Sequence, residues 1–152
     1  MAKLKKVILV AFFAVSLFAA SYVFAANNNF QFQISNYHTT RQSGQVIDVF
    51  VRYAMKDDVD YTKYPDYREL RKIALKYLEP TSDLPVNIFW EVIAAKMAKD
   101  LMKRYPFAGI SVQLLVHPNE TGDIYEPGFH GPIYTVGDVI PLSQVVMPKQ
   151  LT

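Results

Sequence analysis

The sequence contains no cysteine. A disulfide framework, thiol catalysis and any cysteine-ligated zinc or iron–sulfur centre are therefore excluded. Its six glycines form no phosphate-cradling loop, no serine sits in a G-x-S-x-G elbow, and there is no internal repeat. Surplus charge is scarce as well. Lys3, Lys5 and Lys6 supply three of the 16 basic residues, and no acid occurs in the first 26 positions, so the remainder carries 13 basic against 14 acidic residues. A nucleic-acid binder needs a clustered basic face, and nucleic acid is excluded as a partner. With 51% apolar residues in 152, what remains is one ordinary folded domain rather than a disordered chain.

The long apolar run is confined to the start. Met1 to Lys6 is basic, Val7 to Ala20 is almost unbroken apolar sequence, and Val23-Phe24-Ala25 ends it with small residues at the positions a signal peptidase reads. This is the layout of a secretory signal peptide. Residues 1–25 are expected to be removed between Ala25 and Ala26, leaving a periplasmic or secreted domain of residues 26–152. The alternative is an uncleaved membrane anchor, since the run approaches the ~20 residues a bilayer helix needs.

The mature chain reads strand, strand, helix, helix, strand, strand. Phe30, Phe32 and Ile34 alternate with polar residues, and Thr39 to Gly44 forms a hairpin connection. Ile47, Val49, Val51, Tyr53 and Met55 make a second strand that is apolar on one side. Asp66 with Glu69 has capping-box spacing before a helix that stops at Pro80. Asp83 or Asn87 is the expected cap of a helix from Ile88 to Arg104, with Phe89, Ile93, Met97 and Leu101 as its stripe. Ile110 to Val116 is a third strand and Ile133 to Ile140 a fourth. Between them lies a long proline- and glycine-bearing loop over 118–132, and an irregular tail closes the chain. The expected fold class is α+β: a four-stranded antiparallel sheet in the order ββααββ, with two helices packed on one face.

Three stretches carry a family resemblance. Strand two runs into Asp57-Asp58 and then Tyr67 opens the first helix. The second helix begins Phe89-Trp90-Glu91 and closes with the turn from Leu101 to Tyr105, and strand three ends in a basic residue before proline, His117-Pro118. Over roughly Phe30 to Ile140 the chain resembles dihydroneopterin aldolase and the tunnelling fold to which it belongs. The resemblance implies that Glu91 anchors a flat heterocycle such as a pterin, that Tyr67 and Tyr64 border a pocket shared between subunits, and that the protein is a homo-oligomer. It also puts His117 where the family uses lysine. The family's glutamate in the first hairpin loop is missing, because that loop holds only Thr39, Thr40, Arg41, Gln42, Ser43 and Gly44. Lys63 and Arg41 are the only nearby cations to take over.

Read without the family, Glu91 stands among Ala94, Ala95 and Ala98 at helical spacing, as a carboxylate above a shallow cleft or on a solvent face. Histidine as a residue type suits proton transfer, so His117 is a candidate relay or simply a strand-end histidine. His38, His117 and His130 show no short ligand spacing, and Asp57, Asp58 and Asp60 lack the glycine and terminal glutamate of a calcium loop. No metal and no cofactor is expected. The function expected from the sequence is an exported, oligomeric binding or structural component with a small heterocyclic ligand and little or no aldolase activity. The alternatives are an active pteridine lyase or epimerase, and a subunit of a cell-envelope or secretion assembly with envelope protein partners.

Overall fold

The computed structural model describes residues 29–118 and 128–143. Residues 1–28, which include the expected signal segment, most of the 118–132 loop and the tail from 144 onward lie outside them. The elements are β1 (Asn29–Thr39), β2 (Gln45–Met55), α1 (Tyr67–Leu78), α2 (Trp90–Arg104), β3 (Phe107–Val116) and β4 (Ile133–Gly137). The four strands form one sheet in the order β1-β2-β3-β4, and each neighbouring pair is antiparallel. The expected ββααββ architecture holds.

β1 continues four residues past Ser35, where its alternation breaks. A bulge between Ile34 and Tyr37 inserts one residue, so Phe30, Phe32 and Ile34 point toward the helices and then Tyr37 and Thr39 do. Asn36 takes φ 54° there, and its N–H donates to Asp48 Oδ1 at 2.7 Å. Such a two-against-one bulge shifts the period-2 pattern by one residue, which is why the sequence pattern ends too early.

β2 lies inside the sheet, between β1 and β3, so it needs no edge protection; the open edges belong to β1 and β4. Nor is it one-sided. Ile47, Val49 and Val51 are fully buried toward the helices, and Asp48, Phe50 and Ala54 are buried on the other face. That second face is covered by a strap, residues 138–143. Leu142 packs with Phe50, Leu115 and Ile133, its N–H donates to Ser111 Oγ at 3.0 Å, and Arg52 Nη1 donates to the carbonyls of Ile140 and Pro141. β4 is accordingly shorter than expected. It ends at Gly137 (φ 76°), where a Cβ would come within 2.3 Å of the Ala108 carbonyl oxygen, and the chain turns there into the strap.

α1 buries Leu70, Ala74 and Leu78. Asp66 caps it by accepting from Arg68 N–H at 2.9 Å, but Glu69 does not close the capping box; it pairs with Lys72 instead. α2 starts at Trp90, later than the sequence suggested, and neither Asp83 nor Asn87 caps it; Phe89 occupies the N-cap with no side-chain bond. Trp90 fixes the start by burying its ring and donating Nε1–H to Gln45 Oε1 at 3.0 Å. Phe89 is 73% exposed and outside the core. The buried stripe is Ile93, Met97 and Leu101 with Ala94 and Ala98; these alanines face the sheet, not a cleft, because small side chains let the helix approach the strands closely. Each fully buried aliphatic side chain of this stripe contributes about 1.5–3 kcal/mol. Between the helices, Asp100 accepts from Tyr77 Oη at 2.7 Å and from Lys96 Nζ at 3.0 Å. Burial alone would raise the Asp100 carboxyl, yet these donors hold it below its ordinary value, while burial and Asp100 together push the Tyr77 phenol up.

Candidate functional site

Glu91 sits in the first turn of α2 with its side chain exposed, and has no hydrogen-bond or ion-pair partner among the described residues. It lies at one end of an open groove of about 600 Å³ between α2 and β4, lined by Val92, Ala95, Lys99, Lys103 and Tyr134 among others. Lys99 Nζ rests 5.7 Å from the centre of the Tyr134 ring, a cation–π contact. An uncommitted carboxylate at a helix N-terminus, beside an apolar floor of Val92 and Ala95, is equipped to accept paired N–H groups from a flat ring.

Tyr64 and Tyr67 are elsewhere. Tyr64 packs edge-on against Phe30 of β1 at 5.5 Å, and Phe30 continues an aromatic row through Tyr53 to Phe107. Tyr67 opens α1 and is 56% exposed. Phe30, Tyr53, Ile110 and Val136 are aligned across the sheet, so β1 and β4 are three strand spacings, about 14 Å, apart. They differ along the strands as well. The Trp90 bond to Gln45 puts Glu91 at the end of the sheet where β1 finishes, whereas Tyr64 is where β1 begins. A single chain thus carries the expected ligand residues in two halves, at opposite edges and opposite ends.

His117 shares the Glu91 end of the sheet, its N–H donating to the Val46 carbonyl at 2.9 Å, but on the face away from the helices. Its Nε2 is 3.1 Å from Asp48 Oδ1, an ion-pair contact not aligned as a hydrogen bond, and the Phe129 ring meets it edge-on at 4.9 Å. Asp48 was not singled out from the sequence; the signal was present in an acid embedded in an otherwise apolar strand. Arg41, considered as a substitute cation, is fully buried and spends its guanidinium on backbone carbonyls of the last turn of α1 and of the segment joining α1 to α2. It is a structural clasp and cannot reach a ligand. Among the described residues no three His, Asp or Glu side chains gather to hold a metal. Gln113, 2% exposed, has a side-chain oxygen without a hydrogen-bond partner in the same described set.

No protein-family model and no characterised protein sequence matches the chain. Solved structures do. The chain superposes on E. coli dihydroneopterin aldolase, solved in complex with neopterin, with a TM-score of 0.52, covering 71% of this chain and 99% of that one at 14% identity. The chain has the tunnelling fold. An archaeosine synthase QueF-Like in its apo form matches with a TM-score of 0.51 and 10% identity, covering 76% of this chain and 99% of the other. A dihydroneopterin aldolase from Burkholderia thailendensis bound to guanine gives 0.50 and 10% identity over 74% and 93%. At such identities the tunnelling fold is shared as architecture, and the roles of individual residues rest on their own chemistry.

Proposed function

We propose that this protein is an exported, self-associating binding protein with the tunnelling fold, which holds a small flat heterocycle at Glu91 and performs little or no aldolase chemistry. The observation that carries the reading is the divided site. Glu91 offers a free carboxylate at the β4 edge, and the exposed tyrosines lie at the β1 edge, so a second copy is needed to bring Tyr64 and Tyr67 over the ligand. Pterins and guanine both present adjacent N–H and NH₂ donors to a carboxylate, and two structures with this fold hold neopterin and guanine. Aromatic rings with polar tips suit both the ligand and the subunit contact.

Titrating the purified protein with neopterin or guanine is expected to give saturable fluorescence quenching. Truncating the charged partner of desolvated donors costs about 2–5 kcal/mol, so Glu91→Ala should weaken binding at least about 30-fold. No binding by the wild type, or equal binding by the variant, rejects the reading and favours a purely structural role.

We further propose that residues 1–25 direct export and are then cleaved. The mass of the protein isolated from its native cell should correspond to a chain beginning at Ala26; a membrane-bound form retaining Met1 rejects this.

A further inference from the structure

The lysine groove of α2 and the acidic loop before α1 are complementary surfaces. Lys96, Lys99 and Lys103 share one face of α2 along the groove beside β4. Lys96 is already neutralised by Asp100. Among the described residues, Lys99 makes its one charged contact with the Tyr134 ring, and Lys103 has no hydrogen-bond or ion-pair partner, its charge acting on Asp100 from beyond ion-pair distance. Two cations are therefore spare at the β4 edge. Residues 56–66 carry four aspartates against two lysines. Asp60 and Asp66 are occupied as caps, bonding the N–H groups of Thr62 and Arg68. Asp57 and Asp58 are exposed, again without such a partner among the described residues. Two anions are spare in the loop that leads to the β1 edge.

We propose that the groove of one copy receives the Asp57–Asp58 loop of the next, so that Lys99 and Lys103 latch a head-to-tail assembly. The inference rests on the divided site and adds what holds its halves together. Strand direction permits it: β1 and β4 run antiparallel to one another, so the β4 edge of one copy can face the β1 edge of another in an antiparallel sense. Reach permits it too. Lys99 and Lys103 lie about 12 and 18 Å along α2 from Glu91, and the six residues from Asp58 to Tyr64 span up to about 20 Å. With the second copy displaced along the strands so that its Tyr64 approaches Glu91, the loop can lay its aspartates on the lysines. The contact joins two different patches, a heterologous interface that closes into a ring or continues as a chain. Exposed pairs are individually weak and screened by salt, so the latch makes assembly salt-sensitive.

Sedimentation of the purified protein tests this. Wild type should associate at low ionic strength and dissociate at about 1 M NaCl, where the screening length is about 3 Å. Lys99→Glu with Lys103→Glu, and separately Asp57→Lys with Asp58→Lys, should each weaken association at least about ten-fold. An equimolar mixture of the two variants should associate like wild type, because every reversed groove then finds a reversed loop. That rescue excludes simple misfolding. Salt-insensitive assembly, variants that associate normally, or a mixture that stays dissociated overturns the latch. Neopterin binding is read separately: a salt-insensitive assembly that binds it rejects the latch alone, and a salt-sensitive assembly that binds nothing rejects the ligand reading alone.

Discussion

Arg41→Ala is expected to destabilise the fold by about 4 kcal/mol, a large share of the ~5–15 kcal/mol that holds a domain of this size. The side chain is fully buried. Nε donates to the Tyr77 carbonyl at 3.2 Å, Nη1 to Pro85 at 2.7 Å, and Nη2 to Glu79 at 2.7 Å and Leu84 at 3.1 Å. Two of these acceptors belong to the last turn and C-cap of α1, where helix carbonyls have no partner of their own, and Thr39 Oγ1 donates to the Leu78 carbonyl beside them. The first hairpin loop is thus the C-terminal cap of α1, and the cation also complements the negative end of the helix. Among the described residues no carboxylate touches the guanidinium; the Glu79 carboxylate is taken by Tyr37 Oη and Thr40 Oγ1. Burial pulls the Arg41 pKa below its ordinary value, with the Glu79 charge opposing. Removing the side chain leaves a void and takes a donor from four carbonyls, of which Leu84 and Pro85 keep the N–H groups of Thr81 and Ile88. Lysine, with one compact ammonium, should recover less than half of the loss. Urea unfolding would show this as a lower midpoint at unchanged slope. A loss under about 1 kcal/mol would mean that water replaces the guanidinium at little cost.

Turnover of 7,8-dihydroneopterin by the wild-type protein is expected to be at least about 100-fold below that of a working aldolase, since a positioned acid–base group contributes ~10²–10⁴-fold. The first loop supplies no acid; its place is filled by the Arg41 clasp. His117 is shorter than lysine, lies 3.1 Å from Asp48 Oδ1 and is shielded by Phe129. That oxygen also accepts the Asn36 N–H, so the imidazole belongs to the packing of the β1 bulge. His117→Lys alone should restore little, because the ammonium would be drawn to Asp48. Steady-state assay of both proteins decides: robust wild-type turnover refutes the binding-protein reading, and activity appearing only in the variant shows a pocket competent for chemistry that lacks only the cation.

The architecture was legible because its central elements carry strong periodicity. Ile47 to Met55 and Ile110 to Val116 keep an apolar residue at every second position, though Phe50, Ala54 and Leu115 add apolar residues between them, and the repeats from Tyr67 and from Ile93 are helical. Legibility failed where a contact is distant in sequence. Nothing around Arg41 announces partners 36 to 44 residues away. Phe89 continues the spacing of Ile93 and Met97, but a residue at the N-cap is turned off the helix face before the stripe begins. The parity change at Asn36 depends on Asp48, twelve residues on, and Leu142 belongs to no periodic run at all. For the candidate site, the residue types were readable and their separation was not. Glu91 and Tyr64 are 27 positions apart in sequence, and only the folded sheet shows them at opposite corners.

The strap also sets an order of events during synthesis. A chain emerges from the ribosome at about 5–20 residues per second, N-terminus first. β1, β2, both helices and β3 are all made before residue 138, yet the sheet face carrying Phe50 and Leu115 gains the cover of Leu142 only afterwards. Until then that face stays wet and the central strands are half-clad, so the domain lacks part of its burial while most of it has already emerged. Completion is deferred to the moment residues 133–143 arrive.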